Sequence, residues 1–259
     1  MTQGDSADDA TDGKPSKKEG AKKSELWETV IVLLQAFAIA LVIRTFLFQP
    51  FVIPSSSMVG TLLIGDYLFA NKFAYGFSRH SLPFSPDLFD GRILGSDPER
   101  GDVAVFKLPA DGSTDYIKRV IGLPGDTIEL RDGVVILNGE EIERERIEDF
   151  VHPDTGQTVA QYRETLPNGV SYQVLDLIQT SMLDNSPEPF IVPDGHYFMM
   201  GDNRDNSSDS RTALVGYVPL ENFVGRADVI FFSMAEGASP WQVWRWPSDA
   251  RFDRMFDGI

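Results

Sequence analysis

Between Leu26 and Ile43 the chain reads LWETVIVLLQAFAIALVI, an almost unbroken apolar run. As an α-helix it would measure ~27 Å, close to the ~30 Å hydrocarbon core of a bilayer. Its blemishes are Glu28 and Gln35; Glu28 can sit at headgroup level beside Trp27, and Arg44 can snorkel at the other end. The run has almost no polar face, which suits a buried helix of a soluble domain poorly. A cleavable signal peptide is the other reading, because Ala36-Phe37-Ala38 and Ala38-Ile39-Ala40 have the small-x-small form of a cleavage site. Those residues, however, lie in the middle of the run, and apolar character resumes after Arg44 with Phe46, Leu47, Phe48, Phe51, Val52 and Ile53. An uncleaved transmembrane anchor over 26–45 is therefore expected. Lys17, Lys18, Lys22 and Lys23 precede it, so the positive-inside rule places the N-terminus in the cytoplasm and everything after Arg44 outside. Residues 1–25 are rich in Asp, Gly, Ser and Lys, and are expected to be a flexible tail.

The remaining residues of this 259-residue chain, 42% hydrophobic overall, suffice for a proper core. A net charge of -16 argues against nucleic-acid binding, which needs a basic footprint. With Cys at 0 there is no disulfide framework, thiol nucleophile or cysteine metal site. His80, His152 and His196 are too scattered to suggest metal ligation or a histidine triad. No metal and no cofactor is called for, and a hydrolytic mechanism here would work without histidine. Short apolar runs separated by Pro124-Gly125, Asp132-Gly133, Asn138-Gly139 and Pro193-Asp194-Gly195 carry the punctuation of antiparallel β structure. Strands are expected over Thr127–Leu130, Val134–Leu137, His196–Met200 and Val229–Phe232, with one short helix near Thr61–Leu63. The fold class is mainly β: an antiparallel domain in two parts, 46–139 and 191–259, with 140–190 as an insertion or small β subdomain.

Three segments carry candidate chemistry. Ile53-Pro54-Ser55-Ser56-Ser57-Met58 sets hydroxyls about ten residues beyond the apolar run, although Ser and Pro clusters commonly mark only turns. In Asp115-Tyr116-Ile117-Lys118-Arg119-Val120-Ile121, a lysine interrupts the alternation of a strand, and Tyr116, Lys118 and Val120 share a face. Facing inward, Lys118 would lose hydration and drop from ~10.4 toward the ~7–8 useful to a general base; facing outward, it is a solvated charge. Gly201-Asp202-Asn203-Arg204-Asp205-Asn206-Ser207-Ser208-Asp209-Ser210-Arg211 is the densest polar cluster. A calcium loop fails there, because a frame starting at Asp205 has Ser210 where Gly is required and Gly216 where Glu is required. A hydrogen-bonded corner of paired Asp and Arg fits better.

IPSSSMVGTL, GDYLFANKFAYG, RGDVAVF, YIKRVIGLPGD and GDNRDNSSDSR, in that order and followed by VGRA at Val224–Ala227, resemble the bacterial type I signal peptidase, or leader peptidase, family. The resemblance implies a membrane-bound serine endopeptidase with a Ser–Lys dyad on a β fold, which removes signal peptides from exported preproteins after Ala-x-Ala. By position in the motifs, Ser57 is the nucleophile and Lys118 the base. The Ser57 N–H and the Ser55 hydroxyl form the oxyanion hole, Ser207 holds the lysine amine, and Asp209 with Arg211 is a structural ion pair. Phe51, Ile53, Pro54, Met58, Leu62, Tyr116 and Ile117 would line the substrate groove. A bacterial plasma-membrane location is expected, with the catalytic domain on the outer, periplasmic face from the lysine asymmetry of this chain, a monomeric state, and secretion machinery nearby.

Two departures stand out: Ser56 where the family commonly has Gly, and Gly60 where it often has Pro, which would loosen the turn orienting Ser57. Trp241, Trp244 and Trp246 read either as ordinary core or edge aromatics, or as a membrane-interface belt. A self-cleaving repressor-type Ser–Lys protease shares the dyad but predicts a DNA-binding segment where the anchor stands. A membrane-anchored β-domain adaptor predicts tolerance of Ser57→Ala and Lys118→Ala.

Overall fold

The computed structural model describes residues 17–82, 85, 89, 91–178 and 181–259, with side chains from Leu26 onward. The chain divides into two compact units, Met1–Ile43 and Arg44–Ile259. Helix α1 (Lys17–Phe46) begins well before the expected boundary. Residues 17–25, read from composition as part of a flexible tail, are thus helical, while 1–16 lie outside the described residues. Lys and Glu are good helix formers, and a helix already nucleated over 26–46 extends into them at little cost. Within α1, Leu26–Phe46 is 21 residues long with mean hydropathy 2.3, long and apolar enough to cross a bilayer. Leu33, Phe37, Ile39 and Val42 are all exposed, an arrangement unfavourable in water and favourable in lipid.

The second unit is built from strands β1 (Phe48–Val52), β2 (Asp66–Asn71), β3 (Val103–Lys107), β4 (Asp115–Gly122), β5 (Thr127–Arg131), β6 (Val134–Leu137), β7 (Glu140–Glu141) and β8 (Glu143–Arg146). It continues with β9 (Phe150–Val151), β10 (Thr158–Val159), β11 (Gln161–Thr165), β12 (Ser171–Leu175), β13 (Phe190–Ile191), β14 (His196–Met200), β15 (Val218–Pro219) and β16 (Phe223–Ser233). Among the described residues the largest sheet has seven strands in the order β1-β2-β16-β3-β4-β14-β15. All its pairings are antiparallel. The segment expected as Val229–Phe232 is the end of the longer β16, which pairs with β2 on one side and β3 on the other.

Turn chemistry fixes the second sheet, β13-β5-β6-β7. Arg131 pairs with Val134 across Asp132-Gly133, and Leu137 with Glu140 across Asn138-Gly139. Both loop residues in each turn have positive φ, at 49° and 76° and at 54° and 86°. That is the primed hairpin turn for which Asp-Gly and Asn-Gly are selected. Ile128, Leu130, Val135 and Leu137 then point inward and join Ile121, Phe198 and Met200 in one core cluster.

The 140–190 segment supplies a three-stranded sheet, β12-β11-β8, and the β9–β10 pair. Its Ile142, Leu166, Tyr172 and Val174 complete the cluster of Ile121 and Phe198, so its core is continuous with that of the flanking strands. Val59 and Leu63, just past the serine cluster, pack with Leu175 against Phe150 and Val159 from the same segment.

One buried charge pair ties this segment to the polar 201–211 region. Arg204 Nη1 donates to Glu164 Oε1 at 2.8 Å, Nη2 pairs with Oε2, and the Tyr172 hydroxyl donates to Oε2 at 2.9 Å. Removing one partner of such a pair leaves an uncompensated buried charge. Glu164→Ala should therefore lower stability by about 3–5 kcal/mol, read as a shift in the urea midpoint of the protein in detergent.

Candidate active site

Ser57 lies in a single 3-10 turn, Ser56–Met58, several residues before the expected short helix at Thr61–Leu63, which is a turn instead. Ser55 enters the turn in extended conformation, and Val59 N–H closes it on the Ser56 carbonyl at 3.0 Å. Met58 is wholly buried beneath, so the turn is held by its apolar residue while Ser57 stays near the surface at 7% exposure. Gly60 has φ +115°, and Thr61 and Leu62 N–H both donate to the Met58 carbonyl, at 3.0 and 2.8 Å. The glycine thus does not loosen the turn. It takes a backbone conformation that proline, fixed near φ ≈ −65°, cannot adopt.

The 201–211 segment clamps the turn from the other side. Asn203 N–H donates to the Ser57 carbonyl at 3.1 Å, Asn203 Nδ2 to the Ser56 carbonyl at 3.0 Å, and Asn206 Nδ2 to Ser56 Oγ at 2.7 Å. Ser56, where the family commonly has Gly, so gains a partner of its own.

Lys118 occupies the middle of β4, opposite Ala104 of β3, and its side chain points inward at 3% exposure. Its Nζ lies 2.6 Å from Ser57 Oγ and donates to the Ile117 carbonyl at 2.8 Å. The Tyr116 ring is 5.4 Å away on the shared face. Burial brings the amine down from 10.5 to about 8, with Asp209 and Asp202 acting in the opposite sense.

Each of those carboxylates has its own guanidinium. Arg119 makes two bonds to Asp202, at 2.9 and 2.7 Å, and Arg211 two to Asp209, at 2.9 and 2.8 Å. Against the cost of its own burial, Asp209 is held below the ordinary carboxylate range by Arg211. The Ser55 hydroxyl is 3.4 Å from Ser57 Oγ. The Ser207 Oγ is buried and makes no hydrogen bond to Lys118 Nζ among the described residues; its hydroxyl bears on Asp209. The lysine amine turns instead to the carbonyl of its own strand neighbour, Ile117.

A cavity of about 360 Å³ opens in front of Ser57 and Lys118. Pro54, Tyr116 and Ile117 line it as expected, joined by Ser56, Asp115, Asn206 and Ser208. Ile53, Met58 and Leu62 do not: they are fully buried with Leu68, Val103 and Ile230, and Phe51 packs on the same cluster. Apolar residues beside a reactive turn can form its wall or its foundation, and here these four form the foundation. None of the three histidines lines the cavity.

A family model described as signal peptidase, peptidase S26, matches residues 26–232. Signal peptidase I of Rickettsia akari is 42% identical over 231 residues, covering 86% of this chain and 84% of its own. The chain belongs to the signal peptidase S26 family. Another family member, signal peptidase I of Rickettsia typhi, is 46% identical over 203 residues, 75% of this chain and 76% of its own. The crystal structure of a signal peptidase I from Enterococcus faecalis matches with 29% identity over 51% of this chain and 97% of its own, with a TM-score of 0.31. Membership in the signal peptidase family favours neither the repressor-type nor the adaptor reading.

Sequence reasoning missed Asn203 and Asn206 as clamps, Asp202 and Arg119 as a pair, and Glu164 as the partner of Arg204. For the asparagines and Asp202 a signal existed in the density of the 201–211 cluster; for Glu164 there was none. Because Gly60 needs positive φ, Gly60→Pro should misplace Ser57 and cut activity on the order of 100-fold while far-UV circular dichroism is retained, measured with the purified full-length protein.

Proposed function

We propose that this chain is a membrane-anchored serine endopeptidase that removes N-terminal signal peptides from exported preproteins, with Ser57 as nucleophile and Lys118 as general base. The observation that carries the reading is the buried 2.6 Å contact between Lys118 Nζ and Ser57 Oγ. With the amine near 8, a useful fraction is neutral at physiological pH and accepts the Ser57 proton as Oγ attacks the scissile carbonyl. Charge then develops on the carbonyl oxygen, to which the Ser57 N–H and the Ser55 hydroxyl would donate. Collapse of the tetrahedral intermediate breaks the C–N bond, and the lysinium returns its proton to the leaving amine. The same amine then takes a proton from water, whose oxygen attacks the acyl-enzyme ester, and returns that proton to Ser57 Oγ as the ester C–O bond breaks.

The substrate binds as an extended strand. Residues Asp115–Lys118 pair with β3 on one edge, whereas β14 pairs with β4 only from Arg119 onward. The other edge of 115–118 therefore has no strand among the described residues and borders the cavity lined by Tyr116 and Ile117. A peptide adding to this edge would present alternate side chains to the cavity, and limited space there selects small residues, as in Ala-x-Ala. Lys17, Lys18, Lys22 and Lys23 ahead of the apolar helix favour a cytoplasmic N-terminus, with the catalytic unit on the outer, periplasmic face of a bacterial plasma membrane; there it would act as a monomer near the secretion machinery. Exposed Trp241 and Trp244 suit the interface there, whereas Trp246 packs on Phe232 and donates to the Pro240 carbonyl.

Purified protein in detergent should cleave a preprotein carrying Ala-x-Ala, and Ser57→Ala or Lys118→Met should each reduce the rate by about 1,000-fold or more. Undiminished cleavage by either variant would overturn the dyad. Because the neutral amine is the active form, the wild-type rate should rise about tenfold per pH unit below the lysine pKa and level off above about 8. A profile centred near ~6.5 would point to histidine instead. In intact spheroplasts, added protease should degrade the catalytic unit; protection would reverse the orientation.

A further inference from the structure

Ser57 and Lys118 come from segments far apart in the sequence, and nothing in either strand or turn by itself holds them in register. Thr61 stands where the two segments and the 201–211 region meet. Its Oγ1 donates to Asp202 Oδ2 at 2.6 Å and accepts from Arg119 Nη2 at 3.1 Å. Arg119 follows Lys118 directly, and its guanidinium lies over the Tyr172 ring at 4.2 Å. Asp202 precedes Asn203, the residue whose N–H holds the Ser57 carbonyl. Thr61 itself is tied to the Ser57 turn through its N–H to the Met58 carbonyl.

We propose that Thr61 is a positioning residue of the peptidase, its hydroxyl closing a carboxylate–guanidinium–hydroxyl triangle that sets the Ser57–Lys118 spacing. The proposal rests on the dyad reading above. Asp202 and Arg119 join β4 to the 201–211 region, and Asn203 and Asn206 join that region to the serine turn, so without Thr61 β4 is coupled to the turn only indirectly. Thr61 ties that pair directly to the serine turn, its single hydroxyl oxygen donating to the carboxylate and accepting from the guanidinium. A dyad is sensitive to displacements of the order of 1 Å, so the loss should appear in the chemical step.

The hydroxyl also touches the field at the base. The charged and titratable groups bearing on Lys118 are Asp202 and Asp209, their partners Arg119 and Arg211, and Tyr116 from its own strand. Removing a donor from Asp202 leaves more negative potential there, which favours the ammonium and moves the lysine titration to higher pH.

The test compares Thr61→Val, which keeps the shape and removes the hydroxyl, with Thr61→Ser, which keeps the hydroxyl. For the full chain in detergent with an Ala-x-Ala preprotein, Thr61→Val should lower kcat about 10- to 100-fold, leave KM within about twofold, and move the pH profile upward; Thr61→Ser should recover both. Wild-type kcat and pH profile in Thr61→Val, or a Thr61→Ser as impaired as Thr61→Val, would overturn the proposal. If Thr61→Val does not fold, Thr61→Ala, which opens space instead of burying a methyl against the carboxylate, carries the same test. A ¹³C-lysine NMR titration, with Lys118 assigned through Lys118→Met, reads the base without substrate. An unshifted Lys118 titration in Thr61→Val sinks the positioning role even if the wild type cleaves no preprotein, whereas a shifted titration with an inactive wild type would count against the peptidase reading alone.

Discussion

Burying the Lys118 amine beside a hydroxyl is the constraint around which this unit is organised. Burial is what lowers the amine to about 8, yet two carboxylates, Asp202 and Asp209, stand close enough to raise it again. Left unpaired, either would stabilise the ammonium and undo the effect of burial. Arg119 and Arg211 each hold one of them through two hydrogen bonds, so the field reaching Lys118 is that of two ion pairs, not two anions. The buried arginines thus act with burial in keeping the amine lowered.

The arginines and carboxylates in turn need support, which explains the tie to the 140–190 segment. Leu175 N–H donates to the Asp202 carbonyl at 2.8 Å, and Leu177 and Ile178 N–H to Asp205 Oδ2 at 2.7 and 2.9 Å. Glu164 neutralises Arg204 in the same stretch. A loop bearing so many buried polar groups would be unstable alone, since each unmatched group carries a desolvation penalty. The segment is a brace for the 201–211 region as much as a cover for the serine turn.

What the sequence disclosed follows the range of the forces involved. The two primed hairpins were legible because Asp132-Gly133 and Asn138-Gly139 encode positive φ locally. Lys118 was conspicuous because a charge broke a period-two pattern, but which way it faced depended on β3 and on Asp202 and Asp209, none of them local. The same limit hid the Glu164–Arg204 pair, whose partners lie 40 residues apart. It also blurred Ile53, Met58 and Leu62, whose apolar side chains are compatible with groove or core until the packing is known. Gly60 was misread because a family habit of proline says nothing about the φ that this particular turn adopts.

A lysine acting as base would couple chemistry to packing in a way that histidine does not. Histidine titrates near ~6.5 in water and needs little help from its surroundings to act at neutral pH. Lys118 reaches a useful neutral fraction only because it is dry. At pH 7.5 a pKa of about 8 leaves roughly a quarter of the amine neutral, whereas return to 10.5 on hydration would leave about one part in a thousand. Local opening of the serine turn or of the 201–211 clamp would therefore switch off the base by more than two orders of magnitude without moving any reacting atom far. An extended peptide laid along the free edge of β4 would exclude water from the same cavity, so substrate binding itself would hold the amine in its reactive form.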